Sequence, residues 1–292
     1  MPSISDHFRL NKSQSELDFV NVELEEDNPI FIDPFAISIR NDQLSKKCHE
    51  IIVDFFSRII ESIRANNDRI AMRLLGHLRE PNETRFGLSK GKPQGAGIGP
   101  DQGEKIFIAL KKSSATRTGF LSSIQECELL IPGISRDKIS DLTTNIIRSY
   151  LSEYTNKQCQ LFNISTSTVP LPPVFDQKTN SWISKYHNLP LYNSMPILFV
   201  PKVFSRFSPS YDHKKYYNKY VLEFLQFEHL NANTSLVQTF KNGKRYVTKQ
   251  DLKAEYKCTK EFLFEFSKQN PEVLTDYKKD LEYCPNFQFL TI

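Results

Sequence analysis

The sequence predicts an α+β protein in which helices flank a central mixed sheet and a mostly helical C-terminal region follows. Residues 16–24 (ELDFVNVEL) alternate apolar and polar side chains, as a half-buried strand does. The apolar runs 126–133 (ECELLIPG) and 195–202 (MPILFVPK) are short enough to be core strands. Between Leu44 and Ile63, apolar residues recur at helical spacing and charged residues occupy the other face. This last pattern predicts an amphipathic helix that covers the sheet.

The other elements follow in chain order. Residues 28–37 (NPIFIDPFAI) predict a second extended piece that prolines interrupt, and residues 78–105 hold six of the ten glycines and predict a long loop. Helical spacing of apolar residues predicts a helix of about five turns over 146–161. A further helix over 216–225 carries an aromatic face, which we assign to the core.

Local signals also mark the C-terminal third. Thr248 with Asp251 three residues later resembles a capping box, and Asn270 followed by Pro271 predicts a helix boundary. Residues 241–246 (KNGKRY) contain an Asn-Gly pair, which predicts a tight turn between two strands. The C-terminal third is therefore predicted to consist of short helices joined by turns.

The composition describes a folded chain without a membrane span. Of its 292 residues, 39% are hydrophobic and 25% are charged, and no apolar run approaches the ~18 residues that cross a bilayer. The net charge of +4 does not by itself indicate a nucleic-acid partner. Five scattered cysteines without a CxxC pair predict neither a disulfide framework nor a zinc ribbon. Because residues 1–13 lack a leader-like pattern, we expect a cytoplasmic protein with reduced thiols.

Residues 134–145 (ISRDKISDLTTN) have two interpretations, of which the first is a helix start. Ser140 or Asp141 would cap the helix that follows, because a side-chain oxygen there accepts hydrogen bonds from backbone N–H groups that lack partners. Asp137 would shape the preceding turn. This interpretation requires nothing from the glutamates of ECELLIPG.

The second interpretation is a metal site. If the chain folds back at Pro132 and Gly133, Glu128 and Asp141 approach each other from neighbouring strands. Carboxylates that lie close together repel each other unless a cation lies between them. Mg2+ suits such a site, because it prefers oxygen ligands and needs only one or two protein carboxylates. The predicted metal ligands are therefore Glu128 and Asp141.

A hydrated Mg2+ ion held there could generate hydroxide and neutralise a phosphodiester, which predicts hydrolysis of DNA or RNA. Lys138 and Lys202 are the candidates to orient the attacking water. Basic residues further along the chain predict contacts with phosphates: Arg206, Lys214, Lys215, Lys244 and Arg245. A solvated charged face is the alternative interpretation of these five residues.

The order of strong helix, acidic strand, turn, Asp-bearing segment, helix and further strand over residues 44–203 resembles restriction-endonuclease-like proteins of the PD-(D/E)XK class. The segment DKISDLTTN is also similar to segments of uncharacterised bacterial proteins associated with phage defence. The resemblance implies a third carboxylate from an upstream segment, for which Glu83 is the choice and Asp137 the alternative. It departs from the class at Leu142 and Thr143, which stand where a lysine would follow Asp141.

The resemblance also sets the expected domain organisation and partners. Residues 1–165 would form the N-terminal part of a nuclease-like core, residues 166–190 a connecting segment, and residues 191–292 the last core strand with the helical C-terminal region. Nucleic acid is the expected partner. A protein partner from a bacterial defence system and a homo-oligomer are both compatible with the sequence.

Two alternatives to a nuclease stay open. The glycine-rich segment 91–105 (GKPQGAGIGPDQGEK), with Lys90, Lys92 and Lys105, would let backbone amides approach a phosphate and so suit a nucleotide-sensing protein. It lacks the ending of a P-loop, and a surface loop is the commoner use of such glycines. The other alternative is a non-catalytic protein that binds nucleic acid or docks a partner through its C-terminal helices.

Overall fold

The computed structural model describes residues 1–26, 28–87 and 100–283, with the backbone alone at residues 100 and 101. This part of the chain is a mixed α and β protein in which helices predominate, and none of its helices has the length and apolar character needed to span a bilayer. The helices are α1 (Ile4–His7), α2 (Pro34–Ser38), α3 (Gln43–Arg64), α4 (Asp68–Leu75), α5 (Pro100–Lys112), α6 (Ser114–Thr118), α7 (Glu126–Leu130), α8 (Arg136–Leu161), α9 (His213–Tyr216), α10 (Leu222–Ala232), α11 (Lys249–Glu255), α12 (Lys260–Gln269) and α13 (Pro271–Tyr283).

The strands are short and antiparallel. They are β1 (Phe31–Ile32), β2 (Ser167–Pro170), β3 (Val174–Asp176), β4 (Ser181–Ile183), β5 (Tyr186–Leu189), β6 (Leu191–Tyr192), β7 (Met195–Pro196), β8 (Ser205–Arg206), β9 (Gln238–Thr239) and β10 (Arg245–Tyr246). They form two-stranded sheets that pair β1 with β8, β2 with β5, β3 with β4, β6 with β7 and β9 with β10. The segment predicted to connect two domains, 166–190, thus contains strands β2 to β5.

The prediction of a central mixed sheet is corrected for the described residues, whose strands pair only two at a time. The segments ELDFVNVEL and MPILFVPK are largely buried and lie side by side: Val20 N donates to Val200 O at 2.9 Å, and Lys202 N donates to Asp18 O at 2.9 Å. Pro196 and Pro201 lack the N–H that a continuous ladder needs. These extended segments instead line the smaller of two apolar cores, which includes Phe19 and Phe199.

Helix α3 confirms the predicted amphipathic helix. Its first turn is capped by Asp42, whose side chain accepts from Ser45 N at 2.9 Å. The predicted apolar stripe is buried along the helix, from Cys48 to Ile63. It forms part of the larger core, in which α3 packs against α2, α4 and α8.

Two predicted elements differ from the structure around the Pro-Gly bend. Residues 126–130 form helix α7 rather than a strand, and helix α8 begins at Arg136, well before the predicted start. Ser135 precedes α8, so Ser140 and Asp141 lie inside the helix and neither caps it. Ser140 Oγ instead accepts from Ile32 N at 3.0 Å, which ties β1 to α8. A buried five-residue segment fits a strand or a helical turn equally well, because it is too short to show a period that distinguishes them.

The C-terminal predictions are confirmed. The predicted aromatic helix is present as α9, a π-helical turn (Tyr217–Val221) and α10, and its Tyr216 is fully buried. Thr248 caps α11 by accepting from Asp251 N at 3.0 Å, and α13 begins at Pro271. The larger core continues into these helices through residues such as Tyr277.

Candidate functional site

Four carboxylates converge where the loop after α4 meets the first turns of α8. Asp137 and Asp141 lie one turn apart on α8 and therefore share a face of the helix. Glu80 and Glu83 come from the loop, and both are close enough to Asp141 to act on its charge. We call Glu80, Glu83, Asp137 and Asp141 the acidic cluster. Negative charges that lie close together repel each other, so the cluster has an affinity for protons or cations.

Asn145 holds the loop against the helix. Its Oδ1 accepts from Arg79 N at 3.0 Å, and its Nδ2 donates to Arg79 O at 2.6 Å and to Asp141 O at 2.7 Å. These bonds satisfy both backbone groups of Arg79 through one fully buried side chain. They fix Glu80, the next residue, beside the helix face that carries Asp141.

The environment raises the pKa of the Asp141 carboxyl from its ordinary value of 3.8 to about 7. Burial is the largest cause, because it penalises the charged form, and the negative charges of Glu80, Asp137 and Glu83 add to it. Asp141 is partly exposed, so its carboxyl remains accessible from solvent. A carboxyl that exchanges its proton near neutral pH is suited to general acid-base chemistry.

Arg148 and Glu83 form a buried ion pair at the base of the cluster. Arg148 is fully buried, and its Nε donates to Glu83 Oε1 at 2.7 Å. Its Nη1 donates to Asn145 Oδ1 at 3.0 Å, while Nη2 has no hydrogen-bond partner in the described part of the chain. Glu83 itself is fixed on a 3-10 turn (Asn82–Thr84), and its carbonyl accepts from Leu198 N at 2.8 Å. Glu83 thus supports the site from within the protein.

Glu128 is not part of this cluster. Its carboxylate is bound by His213 Nδ1 at 2.8 Å and by Lys260 Nζ at 3.2 Å, and it lines a small cavity together with Ile139. Successive helical residues turn by about 100°, so Ile139 and Asp141 point about 160° apart on α8. The prediction that Glu128 and Asp141 meet from neighbouring strands is therefore wrong, because both are helical and they face different sides of α8.

Glu126 and Glu128 instead attach the C-terminal helices. Glu126 is almost fully buried, and its Oε1 accepts from Lys278 Nζ of α13 at 2.5 Å. The pKa of Lys260 lies below its ordinary value, because burial lowers it more than the negative charge of Glu128 raises it. Lys260 also donates to Ile134 O at 2.6 Å, just before α8. We call the contacts of Glu126 with Lys278, and of Glu128 with Lys260 and His213, the α7 clamp.

The predicted lysines bind carbonyl oxygens outside the cluster. Lys138 Nζ donates to Gly133 O at 2.7 Å, and Lys202 Nζ donates to Ser15 O at 3.3 Å. Lys138 precedes Asp141 by three residues, so its flexible stem begins on a neighbouring position of the same helix. Asn145 and Arg148 were not identified as site residues from the sequence. The one signal for them is that polar residues 141, 145 and 148 recur at helical spacing within a mostly buried stretch.

The predicted phosphate ligands fall into two groups. Arg206 is only 5% exposed, burial lowers its pKa, and its Nη1 donates to Ser205 O at 2.8 Å. We therefore correct the prediction for Arg206, whose guanidinium does not face solvent. Lys214 and Lys215 are exposed in α9, and Lys244 and Arg245 are exposed at the turn between β9 and β10. These four remain open to a ligand.

The glycine-rich segment lies largely outside the described residues, including Lys90 and Lys92. Lys105 lies within α5. Gly103 is also in α5, where an added Cβ would come within 2.2 Å of Leu75 O. Because no side chain fits there, Gly103 allows α5 to pack closely on the end of α4. This glycine serves helix packing.

No three His, Cys, Asp or Glu side chains among the described residues are arranged as a metal-binding group. Mg2+ commonly takes only one or two protein carboxylates and keeps its remaining ligands as water. Of the acidic cluster, Glu80, Asp137 and Asp141 are partly exposed and could supply such ligands, whereas Glu83 is buried against Arg148. The donor set is thus oxygen-only and suits a hard cation.

The fold and the acidic cluster define a mixed α and β protein built around one long helix, α8. The chain belongs to the family described as Domain of unknown function (DUF8370), which matches residues 9–212. No curated protein and no solved structure matches the chain. The matched region contains the acidic cluster and α7, and helices α9 to α13 follow it.

Asp141→Asn is expected to change stability in a pH-dependent way. In the folded protein Asp141 keeps its proton up to about pH 7, while the unfolded chain releases it near pH 3.8. The folded state therefore binds more protons between these values, and stability falls as pH rises through them. The variant avoids this loss, so its free energy of unfolding should exceed that of the wild type by up to about 4 kcal/mol at pH 8 and nearly match it near pH 4.

Urea denaturation at pH 4, 6 and 8 measures this difference. Asp276→Asn, at an exposed carboxylate in α13, is the control and should follow the wild type at each pH. An equal gain for Asp141→Asn at pH 4 and pH 8 would contradict the assignment, because it would not depend on ionisation.

Proposed function

We propose that this protein hydrolyses phosphodiester bonds in DNA or RNA with the help of Mg2+, at the acidic cluster. The observation that carries the proposal is the convergence on Asp141 of carboxylates from two segments of the chain. A divalent cation would relieve their repulsion, because it would replace the proton that the cluster otherwise attracts. We also propose that the protein is related to the PD-(D/E)XK class and acts in bacterial antiphage defence.

Asp141 and one of Glu80 or Asp137 would hold the cation, with water filling its other positions. The ion would supply a bound water of lowered pKa and neutralise charge on the phosphate. Arg148 and Asn145 would keep the loop and helix aligned through the contacts described above. Lys138 is the candidate to orient the water after it leaves Gly133 O.

The test is a cleavage assay on single- and double-stranded DNA and RNA with Mg2+, Mn2+ or a chelator. We expect cleavage that depends on the metal and that falls at least ~100-fold in Asp141→Asn. Glu128→Gln is the matched control. It changes the other predicted carboxylate, which lies on α7 and toward another face of α8, and the variant should retain cleavage once its fold is verified. The proposal fails if Asp141→Asn cleaves normally, or if the folded wild type cleaves none of the substrates.

A non-catalytic nucleic-acid-binding or partner-docking protein is the second candidate. The observation in its favour is that Lys214, Lys215, Lys244 and Arg245 are exposed in the region after the family match. Their side chains can neutralise phosphates without any metal. This candidate predicts binding in chelator and no cleavage, so the same assay, read for both outcomes, separates it from the nuclease.

A further inference from the structure

The β9–β10 hairpin (Gln238–Tyr246) has an ordered turn. Phe240 N donates to Lys244 O at 2.9 Å, and Gly243 N donates to Phe240 O at 2.9 Å. Gly243 has a φ of +82°, a left-handed conformation that glycine adopts without strain. Asn242 Oδ1 accepts from Lys244 N at 3.0 Å and closes the turn. The side chains at its tip therefore project from a defined backbone.

An aromatic surface is exposed at this turn. Phe240 is 49% exposed and stacks on Tyr246, with ring centroids 3.9 Å apart and an angle of 23° between the planes. Stacking uses one face of the Phe240 ring and fixes its orientation. A half-exposed aromatic ring held in this way offers a flat apolar surface to a ligand.

Three cations lie on the same hairpin as the ring, at positions 241, 244 and 245. Lys241, Lys244 and Arg245 are all exposed, and no ion pair among the described residues includes any of them. The residues from 238 to 246 contain no carboxylate. Asp251, which contacts the hairpin, accepts hydrogen bonds from Gln238 and Thr248. The positive charge of the hairpin is therefore available to an anionic partner.

We propose that this hairpin binds single-stranded DNA or RNA, with a base stacked on Phe240 and phosphates held by Lys241, Lys244 and Arg245. Aromatic rings stack on unpaired bases of any sequence, and basic groups beside them track the backbone. A duplex keeps its base faces inside the helix, so it offers phosphates to the lysines but no face to Phe240. The combination of ring and charge therefore selects single strands. The inference goes beyond the proposed hydrolysis, because binding here needs neither Mg2+ nor the acidic cluster. It rests on the second candidate function and adds to it the ring of Phe240 and the preference for single strands.

Fluorescence anisotropy of labelled oligothymidylate, oligouridylate and a DNA duplex, in chelator, tests the inference and separates DNA from RNA. We expect either single strand to bind more tightly than the duplex. Phe240→Ala should weaken this binding about 10-fold, whereas Phe240→Trp should preserve it. Lys244→Gln should lower the slope of log Kd against log salt by about 0.7. Phe227→Ala, at a 61% exposed ring in α10, is the control and should bind as the wild type does.

The inference is overturned if single strands do not bind, if the duplex binds as tightly, or if Phe240→Ala binds normally while folded. It is equally overturned if an acidic peptide or anionic vesicles compete fully and show the same dependence on Phe240. Asp141→Asn should bind single strands like the wild type. Failure of the nuclease proposal would therefore leave this result intact, and failure of binding would leave the cleavage assay interpretable.

Discussion

Replacing Arg148 with methionine is expected to lower the free energy of unfolding by about 3–5 kcal/mol. The variant leaves the buried Glu83 carboxylate without its cationic partner, whose Nε lies 2.7 Å from Glu83 Oε1. It also removes the hydrogen bond that Arg148 Nη1 donates to Asn145 Oδ1, the oxygen that accepts from Arg79 N as well. Because both side chains of the pair are buried, an unpaired charge on Glu83 is costly. Urea denaturation at pH 7 measures the loss.

The double variant Arg148→Met, Glu83→Leu separates the cost of an unpaired charge from that of a lost side chain. It should recover much of the stability, since replacing both members of a buried pair by apolar residues is often close to neutral. Lys12→Met is the control, because the Lys12–Glu16 pair is exposed and should change stability by less than ~1 kcal/mol. A small effect of Arg148→Met alone would show that the pair adds little to the fold.

Glu126→Ala is expected to cost about 2–4 kcal/mol and to loosen the C-terminal helices first. Glu126 Oε1 accepts from Lys278 Nζ, and the same carboxylate accepts from Ser122 N at 2.8 Å and Ser122 Oγ at 2.7 Å. Alanine leaves these donors without an acceptor at a position that is 2% exposed. Hydrogen exchange followed by mass spectrometry should show faster exchange in α13 while α8 stays protected.

Asp276→Ala tests whether the effect is specific to the α7 clamp. Asp276 also lies on α13, but its contact with Lys279 is exposed and 3.8 Å long, so the variant should exchange like the wild type. Uniformly faster exchange of α8 and α13 in Glu126→Ala would contradict a local role, because it would indicate loss of global stability alone.

The sequence predicted the parts of the fold that depend on local signals. The stripe of α3, the Thr248 cap, the start of α13 at Pro271 and the Asn-Gly turn each arise from neighbouring residues. It did not predict how extended segments pair, because pairing depends on distant parts of the chain. The two segments that were expected to form a sheet lie together, yet prolines limit them to isolated hydrogen bonds.

The candidate site was predicted in part for the same reason. Asp141 was named as a metal ligand from its local sequence, and Glu83, with Asp137 as the alternative, from the resemblance to the PD-(D/E)XK class. The structure places all three in one cluster. Glu128 was paired with Asp141 through an assumed strand, and α7 turns it toward Lys260 instead. Asn145 aligns the loop with α8 by binding Arg79, which is 66 residues away in the sequence, so no local pattern predicts this contact.

The α7 clamp has a consequence for how this family changes over time. Its carboxylates lie within the matched region, whereas Lys260 and Lys278 follow that region. Loss of the negative charge at position 126 should cost less when position 278 also gives up its positive charge, although the Ser122 donors still lose their acceptor. Among relatives that contain both positions, we therefore expect correlated replacement at 126 and 278 rather than invariance of either one.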